Sequence, residues 1–91
     1  MENLEKRLKE SWDEVYRNCD YRDLSWETGE PDKELVRIVK ERKIKKCEAL
    51  DIGCGAGTNS IFLAKIGFDV TAVDISPIAI AIAKKRAFSI S

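Results

Sequence analysis

Three glycines at alternate positions, Gly53, Gly55 and Gly57, follow directly on a short apolar run and precede a helical stretch. Few folds tolerate that sequence. The glycines permit a tight turn and let another group come close to the backbone. The run before them, residues 47–52, reads as a strand. Residues 58–66 read as a helix, with Gly67 as its stop signal. Residues 69–74 form a second strand: Val70, Ala72 and Val73 are apolar and Thr71 is β-branched. Ser76 and Pro77 then supply a helix N-cap and a first helical residue.

The last helix is expected to run from Pro77 to about residue 88. Ile78, Ile80 and Ile82 alternate with alanines, which is a strand period. The Ser-Pro start and the basic Lys84, Lys85 and Arg86 near the end favour helix. Its isoleucines then point in several directions, so the helix is expected to be buried on more than one side. Strand, turn, helix, strand, helix is a βαβ unit followed by a second helix. The expected fold class is α/β: a Rossmann-like, doubly wound parallel sheet with only its N-terminal βαβα half present.

Two helices precede it. Leu4, Leu8, Trp12, Val15, Tyr16 and Cys19 recur at steps of three or four and mark an amphipathic helix over residues 2–19. That stripe assigns Trp12 to the core. Residues 20–30 lack periodicity and read as a loop carrying Tyr21, Trp26 and Gly29. Pro31, Asp32 and Glu34 suit the first turn of a second helix. Leu35, Val36, Ile38 and Val39 are its expected buried face, and Lys40, Arg42, Lys43, Lys45 and Lys46 its solvated basic end. Charge divides the chain at the same place. Residues 1–47 hold 24 of the 32 charged side chains, twelve of each sign. The expected division is a helical N-terminal segment, 1–47, and a partial Rossmann-like cofactor-binding domain, 48–91, forming one incomplete domain.

Net charge is zero, which argues against a generally basic nucleic-acid binder. No apolar run approaches the roughly 18–20 residues of a membrane span, and the charged N-terminus lacks a signal-peptide core. A cytoplasmic location is expected. The three cysteines make no C-x-x-C pair and there is no histidine, so neither a metal site nor a histidine base is expected.

The chemistry concentrates at two strand ends. Asp74 lies 21 residues after Gly53, where a carboxylate can accept hydrogen bonds from both ribose hydroxyls of a nucleoside. With the glycine turn, this points to an adenosine-containing cofactor. A dinucleotide fingerprint would place its third glycine at position 58, which is Thr58. A phosphate-binding loop would carry a lysine, but no Lys or Arg falls between Lys46 and Lys65. Asp51 instead puts a carboxylate just before the turn, which suits a positively charged ligand. Cys54 reads as a small residue tolerated between glycines. Its place beside a helix N-terminus leaves a lowered thiol pKa as the alternative.

Residues 50–58 (LDIGCGAGT) closely resemble the first motif of class I S-adenosylmethionine-dependent methyltransferases, and residues 70–77 (VTAVDISP) resemble the next. Residues 21–31 (YRDLSWETGEP) are similar to the N-terminal segment of members that act on small molecules. The resemblance implies S-adenosylmethionine as cofactor and a small-molecule methyl acceptor, with no nucleic-acid or membrane partner. It implies that Gly53 and Gly55, with Cys54 between them, line the methionine part. Asp51 would neutralise the ammonium group directly or through water. Asp74 would bind the ribose, Ile75 would pack on the adenine, and Ser76 would complete that wall. Trp26 and Tyr21 would cover the methionine end or the substrate mouth. No residue stands out as a catalytic base.

The family's sheet has about seven strands, of which this chain supplies the first two, so the 91 residues alone are expected to be inactive. Two alternatives remain at this point. One is a fragment of a nicotinamide-dependent dehydrogenase. The other is a non-enzymatic module that self-associates by pairing its open strand edges or swapping helices.

Overall fold

The computed structural model describes residues 2–41 and 44–90. Helix α1 spans Glu2–Asn18, a 3-10 turn spans Tyr21–Asp23, and α2 spans Lys33–Glu41. Strand β1 (Glu48–Ile52), helix α3 (Thr58–Lys65), strand β2 (Asp69–Val73) and helix α4 (Pro77–Ile90) follow. The strands pair in parallel, Glu48 opposite Asp69 through Ile52 opposite Val73. The βαβα order expected from the glycine turn and the Ser-Pro start is present.

Both strands alternate strictly. Ala49 and Asp51 on β1, with Val70 and Ala72 on β2, are half-buried, and the residues between them are exposed. The half-buried face is the one α3 covers: its Ser60 hydroxyl donates to Asp51 at 2.5 Å. On the other face, Leu50 is 63% and Ile52 76% exposed. Gly67 ends α3 in the left-handed region, at φ 106°. Its N–H donates to the Ala64 carbonyl, and the Phe68 N–H reaches the Leu63 carbonyl, which satisfies the open end of the helix.

The buried cluster is small and sits off the sheet. Tyr16 from α1, Ala56 from the glycine turn and Ala79 from α4 form it, with Tyr21, Leu24, Ile78 and Ile82 packed around them. Ala79 is wholly buried, whereas Ile78, Ile80 and Ile82 are only half-buried. The sequence pattern assigned burial to the isoleucines. Ala79 instead joins Tyr16 of α1 in the buried cluster, and Ala83 lies against Gly57 of the turn. The stripe on α1 also departs from expectation: Leu4 and Leu8 are exposed, and Trp12 is 40% exposed.

Helix α2 begins two residues later than expected. The Asp32 side chain accepts from the N–H groups of Glu34 and Leu35, at 2.8 and 3.3 Å, so Asp32 is the cap and Pro31 lies outside. The expected buried face of α2, Leu35 to Val39, is half-buried. Lys45 and Lys46 lie beyond its end at Glu41, and Arg42 and Lys43 lie outside the described residues.

One buried polar group ties the N-terminal helix to the second strand's exit. Asp13 on α1 is 6% exposed and accepts from the Ser76 hydroxyl at 2.5 Å. Lys9 donates to its other oxygen, and the Ile78 N–H approaches at 3.4 Å. Donation from Ser76 does most to hold the Asp13 carboxyl below the usual carboxylate range, against the opposing effect of burial. A carboxyl lowered on folding stabilises above its unfolded pKa, near 3.9, and that contribution fades as pH falls through the folded value. Melts of wild type and Asp13→Asn should therefore differ at pH 7, and the difference should begin to shrink as pH falls below about 4. A difference that persisted undiminished into acid would contradict this role.

Candidate functional site

The strand ends build the site. The N–H groups of Gly53 and Cys54 both donate to the Val73 carbonyl, at 2.8 and 3.0 Å, pinning the glycine turn to the end of β2. Asp74 then reaches back. One oxygen accepts from the Gly55 N–H and the other from the Ser76 N–H, both at 2.9 Å. The carboxylate thus fixes the turn while keeping unused lone pairs for a ligand. Gly55 is required on two counts. Its φ is +55°, and a Cβ there would stand 2.7 Å from the Tyr16 hydroxyl.

An open cleft of about 1040 Å³ lies over this turn. Gly53, Cys54, Gly55, Asp74 and Ile75 form one wall. The segment between the 3-10 turn and α2 forms the other, through Trp26, Glu27, Thr28, Glu30 and Asp32. Trp12 and Trp26 meet edge to face at the cleft, with ring centroids 5.9 Å apart. Asp74, Glu27, Glu30 and Asp32 line it against a single cation among the described residues, Lys33. Such a lining attracts a cationic ligand and repels phosphate. Two contacts hold the opposing wall: the Asp32 N–H donates to the Asn59 side chain at 2.7 Å, and the Thr58 hydroxyl donates to Glu27 at 2.7 Å.

Of the residues singled out from sequence, Gly53, Cys54, Gly55, Asp74, Ile75 and Trp26 come together around the cleft. Three do not line it. Asp51 faces α3 and is engaged by Ser60, since the strand's alternation turns it onto the covered face. Ser76 is fully buried, because its hydroxyl both donates to Asp13 and accepts from the Ala79 N–H as helix cap. Tyr21 lies outside the cleft, under the guanidinium of Arg86 at 4.6 Å, where the 3-10 turn places it.

Sequence reasoning misses several cleft residues. No motif marks Glu27, Glu30, Asp32 or Lys33 as ligand-facing, and Trp12 and Tyr16 read as an apolar stripe, yet all line the site. Periodicity places a residue on a face but not what that face meets. Burial raises the Tyr16 phenol's pKa, and the nearby Asp74 and Glu27 charges add to it, so Tyr16 is a neutral donor.

Cys54 is pushed up to about 11, chiefly by burial and further by the charges of Asp51 and Asp74. This overturns the lowered-pKa alternative for that thiol: burial first, and then the carboxylates around it, disfavour the thiolate. Cys19 and Cys47 are exposed. At pH 8, iodoacetamide should modify Cys19 and Cys47 well before Cys54, read by peptide mass spectrometry. Fastest labelling at Cys54 would refute the assignment. Among the described residues no group of His, Cys, Asp and Glu could hold a metal ion, and no helix is long and apolar enough to cross a membrane.

Comparison with known proteins agrees with this geometry. The family model for the tellurite resistance protein TehB matches residues 14–88. The chain is 60% identical over 54 residues to the mitochondrial ubiquinone biosynthesis O-methyltransferase of Schizosaccharomyces pombe, covering 58% of this chain and 20% of that protein. It is 52% identical over 31 residues to a probable S-adenosyl-L-methionine-dependent methyltransferase TehB of Haemophilus influenzae, covering 34% of this chain and 11% of that protein. A solved structure from "Conversion of a Disulfide Bond into a Thioacetal Group during Echinomycin Biosynthesis" superposes with a TM-score of 0.79 at 34% identity. That match covers 90% of this chain and 35% of the other. The chain spans a fifth or less of the length of the first curated relatives it matches. The glycine turn, the carboxylate at the end of β2 and the match across most of the sequence converge: the chain belongs to the TehB family of S-adenosyl-L-methionine-dependent methyltransferases.

Proposed function

We propose that this chain forms the S-adenosylmethionine-binding part of an enzyme that methylates a small molecule. The observation that carries the reading is the cleft itself: a glycine turn latched by Asp74 and faced by Glu27, Glu30 and Asp32, with two tryptophans and, among the described residues, one lysine. The cofactor supplies an electrophilic methyl group on a sulfonium centre. The lining fits its cationic groups, and tryptophan faces attract a cation in the same way.

The chain's own residues divide the work. The backbone of Gly53 and Gly55 forms a floor without side chains, which admits the ligand closely. Asp74 holds that floor through Gly55 and offers its remaining lone pairs to the ribose hydroxyls. Ile75, 38% exposed beside it, offers an apolar face for the adenine. Trp26 closes the side opposite the turn. Asp51 acts at one remove: bound to Ser60, it adds negative charge beneath the turn without a direct contact. Tyr16 presents a neutral hydroxyl beside Gly55. Methyl transfer needs chiefly alignment of donor and acceptor, which a rigid cradle provides. The methyl acceptor is a small molecule in this reading, and a cytoplasmic setting goes with the exposed, unpaired cysteines.

Amide spectra of the labelled chain test the reading. Adding S-adenosylmethionine should shift the Gly53, Gly55 and Ile75 signals and leave most of α2 unmoved. An unchanged spectrum at millimolar ligand would overturn it.

A further inference from the structure

Arg86 belongs by sequence to the basic run near the end of the last helix. The structure gives it partners at the glycine turn. α4 continues to Ile90, and from its third turn Arg86 reaches back to the glycine turn. One guanidinium nitrogen donates to the Ala56 carbonyl at 2.7 Å and to the Thr58 hydroxyl at 2.9 Å. The same group lies over the Tyr21 ring at 4.6 Å.

The chain of contacts does not stop there. With its oxygen accepting from Arg86, the Thr58 hydroxyl has its single proton directed to Glu27, at 2.7 Å. The Glu27 oxygen that receives it also accepts from the Gly29 N–H at 3.1 Å. Glu27 and its neighbour Trp26 form the cleft wall opposite the glycine turn. Arg86 itself lies outside the cleft, in a separate hollow of about 330 Å³ behind that wall. A cation behind the wall therefore sets the direction of a hydroxyl, which sets the position of a carboxylate and the turn that carries Trp26.

We propose that Arg86 is a positioning residue. Through Thr58 and Glu27, and by stacking on Tyr21, it latches the Tyr21–Glu30 segment against the glycine turn and so holds the outer wall of the cleft in its ligand-ready place. This inference rests on the proposed cofactor site for its purpose but not for its geometry. Lysine would keep the charge but lose the planar fork that bonds and stacks at once, so Arg86→Lys should rescue poorly.

Hydrogen exchange on the ligand-free chain tests the latch independently of any ligand. Arg86→Ala and Thr58→Val should each speed exchange of the Gly29 amide by about tenfold or more, the scale of a lost charge-assisted bond. Exchange in the β1–β2 ladder should change far less. Thr58→Val keeps the Arg86 stack on Tyr21 and its bond to Ala56, so it isolates the hydroxyl relay. Unchanged Gly29 exchange in both variants would overturn the proposal. So would equal acceleration at Gly29 and throughout the ladder, which is what mere destabilisation gives. Calorimetry with S-adenosylhomocysteine then separates the two claims. Binding by wild type that weakens about tenfold in Arg86→Ala supports the latch. Binding that is undiminished overturns its role in the site. No binding by wild type counts against the cofactor reading and leaves the exchange result to decide the latch.

Discussion

Asp74→Ala is expected to weaken binding of S-adenosylhomocysteine by roughly 30- to 150-fold, or about 2–3 kcal/mol for lost hydrogen bonds to a charged group. The size follows from the side chain's double duty. In the proposed site it would offer lone pairs to the ribose, and it also fixes the Gly55 and Ser76 N–H groups. Removing it frees the floor of the cleft as well as one of its walls. Asp74→Asn should fall between, because an amide oxygen can still accept from Gly55 while the charge is gone. Calorimetry of the three chains measures the series. Alanine binding as tightly as wild type would show that Asp74 serves the turn alone.

Gly57→Ala should be the most damaging single methyl in the turn. Its φ is +87°, and a Cβ there would stand 2.8 Å from the Ala83 Cβ and 3.4 Å from the Ala83 Cα on α4. Left-handed backbone costs an alanine about 1–2 kcal/mol, and overpacking against a helix adds about 1–3 kcal/mol. Gly53 has a similar φ, +72°, with nothing within 4 Å of the added atom. Gly53→Ala should therefore cost only about 1–2 kcal/mol in stability. Its larger effect should fall on ligand affinity, since Gly53 lines the cleft and its methyl would meet no atom of the chain within 4 Å. Urea denaturation of both variants reads the difference. Equal losses would mean that Ala83 yields and the packing of α4 on the turn is loose.

The glycine turn, the two strands and the carboxylate at the end of β2 were all legible in sequence. Local rules govern each: period-two burial, a left-handed turn, an N-cap. The cleft's outer wall was not legible. Trp12 and Tyr16 follow helical spacing like any core residue, and only the packing of α1 on α4 turns them toward the glycines. Asp13 and Arg86 sat in charged stretches where a solvated face is the ordinary reading. Their partners lie 63 and 28 residues away, Ser76 and Thr58, and no local pattern announces such pairs. Asp51 shows the converse case. Its motif position suggested an interaction with the ligand's ammonium group, direct or through water; strand alternation turns it to the face covered by α3, where Ser60 donates to it.

The central claim is that this cleft takes a cationic adenosine ligand, not a dinucleotide. Parallel titrations of one preparation with S-adenosylmethionine and NAD at equal concentrations test it most directly. Four cleft carboxylates against one lysine among the described residues, and Thr58 where a dinucleotide turn needs glycine, predict saturable binding of the first and none of the second. Preferential binding of NAD would contradict the account.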